Sequence, residues 1–136
     1  MHFYDPKVAA AVFIQDGDRV LLIKRAVQPE YGKWALPAGY VNAGEDPRDT
    51  AVREVREETG LEVRITRLMD VMYSQQRPGA SIIIVYAAEV LGGTLQAQDD
   101  ADDAAWFTAD ELPELAFEST RQIVGAWAAA QRSAPG

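Results

Sequence analysis

Apolar positions come in short blocks up to Gly39 and take on helical spacing only beyond Asp46. Lys7 to Gln15 is rich in Val, Ala, Phe and Ile, and Arg19 to Arg25 carries Val20, Leu21, Leu22 and Ile23. Asp16-Gly17 between them is a two-residue turn signal, so the chain is predicted to open with a β-hairpin. Ala26 to Lys33, with Pro29 and Gly32, reads as loop, and Trp34 to Gly39 as a short extended segment that stops at the glycine. Asp46-Pro47 offers an N-cap followed by a proline at the first helical position, and Gly60 stands where a left-handed terminal residue belongs. These signals predict a helix over 47–59, with Ala51, Val52 and Val55 on its core side.

Leu61 to Ser74 and Ala80 to Val90 are rich in β-branched residues, and Arg77-Pro78-Gly79 supplies a turn between two long antiparallel strands. The acidic stretch Gln96 to Asp103 reads as loop, after which Ala105-Trp106-Phe107 returns to extended structure. Trp34 and Trp106 are read as core. Ser119-Thr-Arg-Gln122 fits a capping box, and Ile123, Val124, Trp127 and Ala130 recur at helical spacing, which predicts an amphipathic C-terminal helix. Strands, helix, strands and helix in that order favour an α/β fold, a sandwich with a mixed β-sheet between helices.

The chain has 136 residues and no linker-like stretch, so residues 1–136 are read as a single domain. With no cysteine and one histidine, disulfides, thiolate nucleophiles and zinc ribbons are excluded, and a bound metal must be a hard cation held by oxygen. No apolar run approaches the roughly 20 residues needed to cross a bilayer, and Met1 to Lys7 lacks the features of a signal peptide. A cytoplasmic protein without a membrane partner is expected. Thirteen Lys and Arg against 21 Asp and Glu leave a charge of −8, which disfavours a polymeric nucleic acid as partner. The excess is concentrated in two acidic groups, Glu45, Glu54, Glu57 and Glu58 in one, and Asp99, Asp100, Asp102 and Asp103 in the other.

In the predicted helix Glu54, Glu57 and Glu58 are spaced i, i+3 and i+4, which sets three carboxylates on one face. Like charges at that spacing cost about 0.2–0.5 kcal/mol per pair, so the face needs basic neighbours or a bound cation. Arg53 and Arg56 are such neighbours, and a solvated charged helix is the plainer reading of the spacing taken by itself.

The setting is more specific. Gly39, Glu45, Arg53, Glu54, Glu57, Glu58 and Gly60 follow the pattern Gly-x5-Glu-x7-Arg-Glu-U-x-Glu-Glu-x-Gly-U, with Val55 and Leu61 in the aliphatic places U. This resembles the box of the Nudix hydrolase family without a departure, and is far more selective than a lone glycine fingerprint. The resemblance implies the Nudix α/β/α sandwich and hydrolysis of the phosphoanhydride bond in a nucleoside diphosphate linked to a further group X. It further implies magnesium as cofactor, with manganese as a substitute, held by Glu54, Glu57 and Glu58 and the backbone carbonyl of Gly39. Arg53 would orient a glutamate, Glu57 being its i+4 neighbour. Glu45 would be either a further carboxylate at the metal or a support for its loop.

Outside the box, Asp5-Pro-Lys-Val, Tyr31 to Tyr40, Asp110-Glu-Leu-Pro and Leu115-Ala-Phe resemble the ADP-ribose, NADH and FAD pyrophosphatase branch of the family. The expected partner is a small nucleotide, and since many relatives pair, a homodimer is a further expectation. Family members differ in the source of the general base; here Asp102 or Asp103, just ahead of Trp106-Phe107, is the candidate, with Asp where Glu is commoner. Arg25, Tyr31 and Arg77, with Tyr4, Tyr73 and Lys24, are candidates for holding phosphates and base. A nucleoside triphosphatase of the MutT kind needs the same box and is the nearest alternative; a nucleotide-sensing Nudix domain without catalysis is another. Isopentenyl diphosphate isomerase shares the fold but relies on cysteine, which this chain lacks.

Overall fold

Nine residues of almost unbroken apolar character make Val8–Asp16 (β1) the axis of the molecule, because such a run is stable only where both faces are covered. In the computed structural model, described for residues 6–75 and 79–134, its alternate side chains enter two separate cores. Ala10, Val12 and Ile14 pack with Ala51 and Val55 of one helix, α1 (Pro47–Thr59). Ala11 and Phe13 pack on the other face with Val124 and Trp127 of α2 (Glu118–Ser133). The period of two in β1 thus builds a three-layer α/β/α sandwich around one strand.

The remaining strands are β2 (Arg19–Arg25), β3 (Trp34–Ala35), β4 (Ala38–Tyr40), β5 (Leu61–Tyr73), β6 (Ile82–Gly93) and β7 (Ala101–Thr108). They lie in the order β3-β2-β1-β6-β5, with β4 also on β1 and β7 on β2. β1 and β6 are parallel while the other pairs are antiparallel, so the sheet is mixed as expected. β1 splays at its two ends: Ala9 to Ala11 pair with β4, whereas Gln15 and Asp16 pair with β2. The site opens where these two partners part.

Helix α1 occupies the expected span. The Asp46 carboxylate accepts from Arg48 N at 2.9 Å, Pro47 opens the first turn, and Gly60 at φ 76° closes the last. Four local expectations change. The hairpin turn is Gly17-Asp18, because Asp16 pairs with Arg19 and belongs to the ladder. Trp34 to Gly39 is two strands on different partners, separated by Pro37, whose carbonyl accepts from Val12 N at 2.9 Å. Ala101 to Asp103 belongs to β7 and not to a loop, since β2 offers a free edge along which that segment pairs. The capping box at Ser119 is not used. α2 starts two residues earlier than that box would set it, with Phe117 at the cap position and no side-chain cap bond, and Gln122 Nε2 donates to Glu118 at 3.3 Å. Leu115 bridges Trp34, and Ala116 N donates to Trp34 O at 2.6 Å, which fixes the direction from which the chain enters α2. Trp34 is only half-buried, edge-on to Phe107 at 4.9 Å, and Trp106 is half-buried against the first core with Arg19 over its ring. Among the described residues no helix is long and apolar enough to cross a membrane.

Candidate functional site

Glu54 and Glu58 of α1 line a cleft together with residues of β4 and β2, Glu57 does not, and the environments of the three differ. Glu58 is buried, 5% exposed, and Ala38 N donates to its Oε1 at 3.0 Å. Burial, followed by the nearby Glu54 charge, pushes its carboxyl well above the ordinary 4.5. Glu54 is raised for the same first reason, with Arg53 pulling the other way. Glu57 is the most exposed of the three. Gly39 in β4 lies against Glu54 so closely that a side chain there would overlap the Glu54 carboxyl. The glycine is therefore required by close approach and not by positive φ.

Arg53 organises the other side of this face. Its Nε and Nη2 donate to the two oxygens of Glu45 at 2.9 and 3.0 Å, and Nη1 donates to Glu54 at 2.9 Å and to both oxygens of Glu57 at 3.2 Å. Glu45 also accepts from Thr50 Oγ1 at 2.7 Å and Asn42 N at 3.2 Å. Arg53 first, then Thr50 and Asn42, hold the Glu45 carboxyl down at about 2. With its acceptors so engaged and its side chain off the cleft wall, Glu45 ties the loop between β4 and α1 to the helix.

A cleft of about 460 Å³, within the range of small-ligand sites, runs along this face. Its lining is apolar at Ala9, Ala11, Ile23, Leu36, Ile83 and Phe117 and charged at Glu54, Glu58, Asp99, Asp100, Glu118 and Arg25. Asp103 is not on this wall. It is exposed in β7 opposite Lys24, with its carboxylate accepting from Ala104 N at 2.8 Å. Asp102 is the extra residue of a register shift between the Lys24–Asp103 and Arg25–Ala101 pairs. Bulges of this kind re-aim a strand. Beyond it Asp99, at φ 56°, and Asp100 reach the cleft, near enough to oppose ionisation of Glu54 and Glu58 respectively.

The other predicted residues scatter. Arg25 lines the cleft, whereas Tyr31 is 60% exposed on the loop after β2 and Tyr73 is exposed on β5, neither on the cleft wall. Arg77 and Tyr4 lie outside the described residues. Gln28 was not singled out by sequence reasoning, and Phe117 entered it only as the last residue of Leu115-Ala-Phe, with no site role; the folding of distant segments brings both to the cleft.

The donor set fits a hard divalent cation. Glu58 is a buried carboxylate on a cleft wall with one hydrogen-bonded oxygen, and its ionised form is costly unless a cation lies beside it. Among the described residues no three acids stand close enough together to hold a metal ion as they are, because Arg53 Nη1 sits between Glu54 and Glu57.

Fold and site together define an α/β/α sandwich with a carboxylate face on one helix beside a cleft. The chain belongs to the NUDIX family: the NUDIX domain model matches residues 5–128, and the protein is a Nudix hydrolase. It is 41% identical over 123 residues to the ADP-ribose pyrophosphatase of Methanocaldococcus jannaschii, covering 89% of this chain and 73% of that one. It is 36% identical over 110 residues to the 8-oxo-dGDP phosphatase NUDT18 of Homo sapiens, covering 78% of this chain and 33% of the human protein. Among solved structures, a NUDIX hydrolase from Nitrosomonas europaea superposes with a TM-score of 0.85 at 29% identity, covering 99% of this chain and 77% of that one. Members of the family generally use divalent metal ions.

Proposed function

We propose that this chain is a magnesium-dependent hydrolase of ADP-ribose or a related nucleoside diphosphate linked to X. The observation that carries the proposal is the pairing of Glu58, buried and held by Ala38 N, with Glu54 on the wall of a nucleotide-sized cleft. Its likeness to an archaeal ADP-ribose pyrophosphatase supports the choice of substrate. Glu54, Glu57 and Glu58, with the Gly39 carbonyl, would hold the metal, and Arg53 would set the orientation of Glu57. Glu45 would act through Arg53 as a support. Magnesium bound there would neutralise phosphate oxygens and lower the pKa of the attacking water. Asp99 and Asp100 replace Asp103 as the acids proposed to receive that water's proton, because they face the cleft. Arg25 would bind a phosphate oxygen. The assembly proposed is a homodimer, supported by the exposed row Leu68, Val71 and Tyr73 on the edge strand β5, and sedimentation tests it.

The test is product release from ADP-ribose, NADH, FAD, dinucleoside polyphosphates and nucleoside triphosphates, each with magnesium and with a chelator. AMP and ribose phosphate from ADP-ribose, with magnesium only, is the expected result. Preferential release of pyrophosphate from a triphosphate would replace the proposal with a MutT-like activity.

A further inference from the structure

Among the described residues lining the cleft, Arg25 is the only Lys or Arg, facing five acids: Glu54, Glu58, Asp99, Asp100 and Glu118. A diphosphate entering this cleft needs that one cation held in place, since a long side chain free to turn would pair with a carboxylate instead. The structure shows how it is held. Arg25 ends β2, and its backbone is fixed on both sides, donating to Lys33 O and accepting from Gly32 N, each at 2.9 Å. Its Nε donates to Pro29 O at 2.8 Å, and the guanidinium carbon lies 4.8 Å from the centre of the Phe117 ring. The Nη nitrogens make no hydrogen bond among the described residues, which leaves that end of the guanidinium for a ligand.

Phe117 occupies its place at a conformational cost. Its φ of 69° and ψ of 142° are backbone values that a residue with a side chain seldom adopts, and glycine would relieve them. The Trp34–Leu115 bridge and the Ala116 to Trp34 hydrogen bond deliver the chain to this point, so the ring is set by elements that take no other part in the site. The ring face turned to Arg25 is covered by the guanidinium and is not open to a nucleotide base.

We propose that Phe117 is a positioning residue that holds Arg25 as the phosphate-binding cation of the cleft, an inference that rests on the hydrolase reading above. The pair is made of two segments far apart in sequence, neither in the family's box.

The experiment compares Phe117→Leu, Phe117→Tyr, Phe117→Gly, Arg25→Met and the Phe117→Leu/Arg25→Met double variant with the parent protein. Phe117→Leu is expected to raise KM for ADP-ribose roughly fivefold, the scale of a partly desolvated cation–π contact, with a smaller fall in kcat. Phe117→Tyr restores the parent value because it keeps the ring face. The double variant is no worse than Arg25→Met, since both changes remove one interaction. At fixed free magnesium, inhibition by inorganic pyrophosphate weakens by the same factor while inhibition by adenosine is unchanged. Phe117→Gly raises KM without lowering the melting temperature, which a purely structural ring would not do. An unchanged KM in folded Phe117→Leu, additive effects in the double variant, or weakened adenosine inhibition in place of pyrophosphate would each overturn the assignment. Should the parent cleave none of the substrates, calorimetric binding of pyrophosphate to the same set decides the question separately: equal affinity throughout rejects the role of Phe117, and weakened affinity in Phe117→Leu and Arg25→Met retains it.

Discussion

Glu58 is a buried carboxylate that costs stability when ionised and is proposed to hold the metal. Its carboxyl is pushed up by burial and by Glu54, so the metal-free protein loses stability as pH rises from about 4.5, the ordinary carboxyl value, toward the raised folded value. Replacing it by glutamine removes the ionisation and keeps an oxygen to accept from Ala38 N. Glu58→Gln is therefore expected to melt higher than the parent at pH 8 in chelator, while kcat falls by roughly a hundredfold, the scale of losing one preorganised electrostatic contact. Thermal denaturation at pH 4 and pH 8, with the gain confined to the higher pH, checks the sign. A lower melting temperature at pH 8 would show that the carboxylate is stabilised by a partner other than a cation.

At the scale of elements, the two helices are started by different means. α1 has a side-chain cap from Asp46, and Asp46→Ala is expected to cost about 1 kcal/mol. α2 has none, because Phe117 holds the cap position and the bridge to Trp34 sets its entry. Ser119→Ala should therefore change stability by less than about 0.5 kcal/mol, despite the capping pattern that begins there. Denaturant unfolding of both variants measures the difference; equal losses would mean that Ser119 caps α2 in solution. The bulge in β7 is the other element-scale decision, since it determines which of four neighbouring aspartates reach the cleft.

At the scale of the whole molecule, the net charge is −8, and the described cleft lining carries five acids against one arginine. Divalent binding to the folded state alone stabilises by linkage, about 2.7 kcal/mol at a hundred times the dissociation constant. Magnesium is expected to raise the melting temperature of the parent by several degrees and that of Glu58→Gln by much less, a comparison that scanning calorimetry makes directly. An equal rise in both would place the bound cation away from Glu58.

The order of strands and helices, the span of α1 and the seven spaced residues of the box were legible in the chain because each rests on local physics: apolar period, cap chemistry, and helical spacing of carboxylates. Local spacing also told that Arg53 could reach Glu57. It did not tell that the same guanidinium holds Glu45, eight residues away, or that Gly39 lies against Glu54. Those contacts depend on β1 splaying to pair with β4 at one end and β2 at the other. The Arg25–Phe117 contact, and the presence of Asp99 and Asp100 but not Asp103 on the cleft lining, were likewise decided by tertiary structure. A strand register and the entry angle of a helix are set by pairing between distant segments, and no short window of sequence contains both partners.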